Sequence, residues 1–122
     1  MDDNIKNKIK DVIKYLKEKT INIIEEGTKK YNCKNYSFNP HINDIECYIA
    51  LNLSEELSNI SNNIEINEII ITNIVVGVKY MLNFLSKKNR IDSLEHNELN
   101  EILCNLIFDI IDDSTELFRL YF

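Results

Sequence analysis

The chain holds few of the residues that punctuate loops: two glycines, one proline and no tryptophan in 122 positions. That scarcity argues against a loop-rich β-sandwich and against turns that cradle phosphate. None of Gly-x-x-x-x-Gly-Lys, Gly-x-Gly-x-x-Gly, Gly-x-Ser-x-Gly or His-Glu-x-x-His occurs. Three cysteines, Cys33, Cys47 and Cys104, cannot all pair. With His41 and His96 they show no Cys-x-x-Cys spacing for zinc, and the Glu-x-x-His pairs of a di-iron bundle are also missing. These absences predict no metal, no cofactor and no enzymatic activity. Basic residues are a minority, 14 against 20 acidic, for a net charge of −6 and a pI near 4.9. Nucleic acid and anionic membrane surfaces are therefore poor partners, whereas a basic protein is a good one. No apolar segment opens the chain, which is charged from its start; with unpairable thiols, this predicts a reducing, cytoplasmic home.

Apolar side chains are plentiful at 44%. The richest stretch, residues 69 to 85, reads IIITNIVVGVKYMLNFL. Its β-branched opening suits a strand, but the run is too long for one and contains no turn residue, so a helix is expected over about 65–88. Ile66, Ile70, Ile74, Met81 and Leu85 share one face, and Ile71, Val75, Val78 and Leu82 widen it. A helix apolar nearly all round is expected to be buried at the centre of its fold. Asn73, Lys79 and Asn83 interrupt the run, which disfavours a membrane span. Gly77 gives up helix propensity there, and a close helix contact would offset that loss.

The rest reads as helix with short breaks. Ile5, Ile9, Val12, Ile13, Leu16, Ile23 and Ile24 have helical spacing from about Asp3, with Asp2, Asp3 or Asn4 as cap and Gly27 as a stop. Lys6, Lys10, Lys14 and Lys17 form its wet side. Residues 28–43 read as a loop, in which Tyr31, Tyr36 and Phe38 either pin it to the core or form a binding surface. Residues 45–53 alternate like a strand, yet the helical pattern continues past Glu56, so a helix is expected over 44–60, followed by a turn at 61–63. Asp92 with Glu95 has capping-box spacing and opens a last helical region. Asp113 with Glu116 repeats that spacing and marks a break near 112–114. The fold predicted is all-α: one domain, 1–122, a bundle of four to five helices around the central one.

Charge is uneven along this bundle. Residues 1–34 carry nine lysines against six acids, a net of +3, while 35–122 carry five basic residues against 14 acidic, a net of −9. On a helical wheel Glu98, Glu101, Asp109, Asp112 and Glu116 gather on one face, with Asp113 adjacent. The stripe is either the wet side of an amphipathic helix or a surface complementary to a basic protein.

A small acidic helical chain of this kind, with the stretch Glu95 to Glu116 at its heart, resembles the immunity proteins encoded beside antibacterial toxins, including those of contact-dependent growth inhibition. The likeness covers the whole chain in size, charge and class, and no family residue is carried over from it. It implies a cytosolic inhibitor of one cognate toxin, often a nuclease. A greasy central helix wrapped by others also resembles the Bcl-2-like fold, which binds a partner helix in a groove. A third reading is a homo-oligomer docked through its apolar end, Leu117 to Phe122.

Overall fold

Asp2 starts the first helix: its carboxylate accepts the Asn4 amide at 2.9 Å. An acidic N-cap satisfies an orphan N–H and faces the positive end of the helix dipole. In the computed structural model, which describes residues 2–31, 38–87 and 95–122, α1 then runs Asp3–Lys30. It does not stop at Gly27. That glycine is buried inside the helix, and a Cβ on it would lie 2.8 Å from Tyr48 Cδ1. Its smallness is used for packing an aromatic ring against the backbone, not for a left-handed cap.

Helix α2 spans Phe38–Ile60, beginning six residues before the expected Asp44. Pro40 is tolerated because a first-turn N–H has no partner within the helix. The strand-like alternation dissolves here. Ile45, Ile49, Leu53 and Leu57, four residues apart, are buried, whereas the alternating partners Cys47 and Leu51 are exposed. A tight connection follows, in which Asn63 Oδ1 accepts the Ile66 amide at 3.2 Å and Ser61 Oγ accepts the Asn63 amide at 3.1 Å.

Helix α3 spans Ile64–Lys87 and α4 spans His96–Asp113. The capping-box reading is corrected at both sites. Glu95 is itself the N-cap of α4, while Asp92 lies outside the described residues. At the second site Ser114 stands between α4 and the short α5 (Thr115–Phe118), where the chain breaks as expected. Its buried hydroxyl donates to the Ile110 carbonyl at 2.7 Å. The change of direction drops Phe118 fully into the core.

The four long helices form a square. α1 packs on α2 and α4, α3 packs on the same two, and the diagonal pairs scarcely meet. Tyr15 meets Glu56 and Tyr48 meets Glu26, so α1 and α2 run antiparallel; Lys17 meets Asp112 and Thr28 meets Asn100, so α1 and α4 do too. One continuous core lies between them, with Leu16, Ile24, Ile49, Ile70, Leu82, Leu103 and Ile107 all but sealed from solvent. Each such side chain stabilises the fold by roughly 1.5–3 kcal/mol relative to exposure. Thr20 and Thr28 are buried too, and turn their hydroxyls onto the Leu16 and Ile24 carbonyls.

The bundle is all-α with five α-helices among the described residues, but α3 is not central. It is one corner of the square. Ile66, Ile70, Ile74, Val78, Leu82 and Leu85 face the core, while Val76 and Tyr80 are 62% and 72% exposed. Every corner helix has one side turned outward, whatever residues occupy it. Gly77 does make the expected close contact: a Cβ would meet Ile110 Cδ1 of α4 at 3.0 Å.

Gly27 yields a test. Gly27→Ala gains roughly 1 kcal/mol of helix propensity but crowds the Tyr48 ring, and overpacking costs about 1–3 kcal/mol. Urea unfolding should show a net loss of about 1 kcal/mol. In a Tyr48→Ala background the same substitution should become stabilising, and a sign that does not reverse would refute the contact.

Candidate protein-binding surface

The acidic stripe is a property of the three-dimensional surface. Helix α4 buries Leu99, Leu103, Cys104, Ile107 and Ile111, and that choice of inner face turns Glu98, Glu101, Asp109, Asp112 and Asp113 outward. Glu116, on α5, is exposed beyond them. All six predicted carboxylates therefore reach solvent, five of them on the outer side of α4. They differ in their partners. Asp112 is bridged by Lys17 of α1 at 2.8 Å, and Glu116 by Arg119 at 2.7 Å. Both bridges are exposed, a setting where such pairs contribute about 0–1 kcal/mol. Glu98, Glu101, Asp109 and Asp113 form no ion pair among the described residues. The lysine face of α1 thus meets the stripe at Lys17, whose ammonium also lies 5.7 Å from the Phe108 ring centre.

The second predicted surface is only partly described. Tyr31 caps α1 and meets Tyr48 edge to face, ring centres 6.1 Å apart, with Lys30 close to both rings. Tyr48 in turn donates to Glu26 at 3.1 Å. Tyr31 therefore fastens the end of α1 to α2, the pinning role. Tyr36 lies outside the described residues, as does the side chain of Phe38.

The apolar chain end is docked on its own bundle. Phe118 is buried, and Tyr121 donates its hydroxyl to Asn67 Oδ1, while the Asn67 amide donates to the Ser61 carbonyl at 3.1 Å. Burial pushes the Tyr121 phenol up to about 12, so it stays a donor across the physiological range. Leu120 and Phe122 remain exposed at the end.

Among the described residues no three His, Cys, Asp or Glu side chains converge to hold a metal ion. Cys104 is buried and its thiol is pushed up by that burial, which suits a small hydrophobe more than a nucleophile. Cys47 is exposed, and Cys33 lies outside the described residues. A depression between α2 and α3, about 300 Å³, is lined by Ser54, Ser58, Asn67, Ile71 and Thr72 among others, with Glu68 its one ionisable group.

Two features escaped sequence reasoning. One is the exposed apolar line of α3, which includes Ile69, Val76 and Tyr80. The other is Glu46, buried on α2 with Oε1 lacking a hydrogen-bond partner among the described residues. Its signal in the sequence was position: it follows Ile45 on the inner side of α2. No protein-family model, curated protein or solved structure matches the chain.

Burial raises the Glu46 carboxyl above its ordinary 4.5, and the charge of nearby Lys79 only partly offsets it. The folded chain therefore holds this proton more tightly than the unfolded chain. Its contribution to stability falls as pH rises from about 4.5 through the raised value. Glu46→Gln should raise the thermal midpoint at pH 7, with the gain vanishing below about pH 4. A midpoint lowered at pH 7 would show the ionised carboxylate to be favourably paired.

Proposed function

We propose that this chain is a non-catalytic, cytoplasmic inhibitor of the immunity type, which binds a basic toxin domain through the outer face of α4. The observation that carries the reading is the set of four solvent-facing carboxylates, Glu98, Glu101, Asp109 and Asp113, left without ion-pair partners among the described residues on a helix whose other face holds the core. Unpaired charge on a rigid helix costs no folding energy to redirect toward a partner, and it steers a basic domain into contact. A nuclease fits because its substrate-binding surface is basic, and carboxylates at helical spacing compete with phosphates for the same Lys and Arg side chains. Asp112 and Glu116 are secondary members, since each must first leave its own cation.

The groove-binding reading is less favoured, because the depression between α2 and α3 is lined mainly by polar side chains, Ser54, Ser58, Asn67, Glu68 and Thr72. The chain-end reading loses its surface in part, since Phe118 and Tyr121 are already committed within the chain.

The test uses the toxin domain encoded beside this gene, co-expressed with wild type or with Glu101→Gln, Asp109→Asn and Asp113→Asn combined. Folding should be unaffected, the free energy of unfolding staying within about 0.5 kcal/mol per site. Protection should be lost, because each desolvated carboxylate paired with a cation contributes about 2–5 kcal/mol when truncated. Full protection by the folded variant, or a gene with no toxin beside it, would refute the proposal.

A further inference from the structure

The outer line of α3 has an order that neither the core nor the acidic stripe uses. At 100° per residue, Glu65, Ile69, Thr72, Val76, Tyr80, Asn83 and Lys87 fall within one narrow strip facing away from the bundle. All are exposed except Asn83, which is half-buried. Their spacing is four, three, four, then four, three, four, which is the same read from either end, with Val76 in the middle. The charges are opposite at the two ends: Glu65 at one and Lys87 at the other, about 33 Å apart along the helix. Neither makes an ion pair among the described residues.

A strip whose spacing is the same in both directions, apolar in the middle and oppositely charged at its ends, can face itself turned through 180° with its end charges opposed. We infer that α3 is the contact for a second copy of this chain, the two helices lying antiparallel about a two-fold axis at Val76. Val76 then meets Val76, Thr72 meets Tyr80, Ile69 meets Asn83, and Glu65 meets Lys87 twice. This is the isologous arrangement in which each contact occurs in duplicate. A membrane is a poorer occupant, although α3 has the length and apolar content to cross one. Glu65 lies on the strip itself, and Glu68 with the α4 carboxylates stands beside it under a net charge of −6. Anionic headgroups would be repelled by the same charges that a second copy answers with Lys87. One helix against one helix is smaller than the standard interface of about 800 Å² per partner, so the dimer is a weak one.

Sedimentation equilibrium of the purified chain, over about 10–500 μM, should show a reversible monomer–dimer system. Val76→Glu, which sets two like charges on the axis, should abolish it while circular dichroism and the thermal midpoint stay as in wild type. Glu65→Lys alone and Lys87→Glu alone should each weaken self-association roughly tenfold. An equal mixture of those two variants, and the double swap, should each restore it, because only the symmetric antiparallel pairing brings position 65 of one copy to position 87 of the other. A monomer throughout, swaps that fail to restore association, or a monomer that floats with phosphatidylglycerol-containing vesicles would each overturn the inference.

Discussion

Everything here depends on how four long helices share one core. With 28, 23, 24 and 18 residues, they are long enough to hold one another side by side, and each has only one flank to give. A square arrangement lets every helix bury a strip against two neighbours and leaves no polypeptide in the middle. That constraint explains why Gly27 and Gly77 lie inside helices. Each sits where a neighbour presses on the backbone, Tyr48 on one and Ile110 with Leu106 on the other. It also explains the bent chain end, since Ser114 must redirect the backbone for Phe118 to close the core.

Much of this was legible because helical periodicity is a local property. Ile45, Ile49, Leu53 and Leu57 named α2 correctly against a competing alternation, and the apolar face of α4 turned its carboxylates outward as the wheel required. What stayed hidden depends on partners far off in sequence. Gly27 resembles a helix stop until Tyr48, 21 positions later, is seen lying on it. Lys17 and Asp112 are 95 positions apart, so the local sequence could not show that one predicted contact residue is already paired. Helix α3 was misplaced for another reason. Periodicity locates a boundary between apolar and polar faces, and a helix apolar on both sides supplies none, so a corner and a centre look alike.

The outer surface divides by helix. α4 offers charge on a side that contributes little to folding, and α3 offers apolar side chains that the core does not need. Exposed Val76 and Tyr80 gain nothing from the monomer, and their exposure leaves apolar area in water at roughly 25 cal/mol per Å². The two surfaces lie on neighbouring corners, and Asp112, bridged by Lys17, marks the side of α4 toward α1 and away from α3. Fold and the proposed recognition are separable in such a layout, because the residues that make the core and those proposed to meet a partner share helices but not faces.

The placement of α3 at a corner supports all of this, and two valines test it most directly. Val76 is 62% exposed and Val78 is fully buried, although only Gly77 lies between them. Methyl relaxation enhancement by a soluble gadolinium chelate, measured by nuclear magnetic resonance in dilute solution, should broaden the Val76 methyls strongly and leave those of Val78 sharp. Equal protection of both would put α3 at the centre of the bundle and contradict the account.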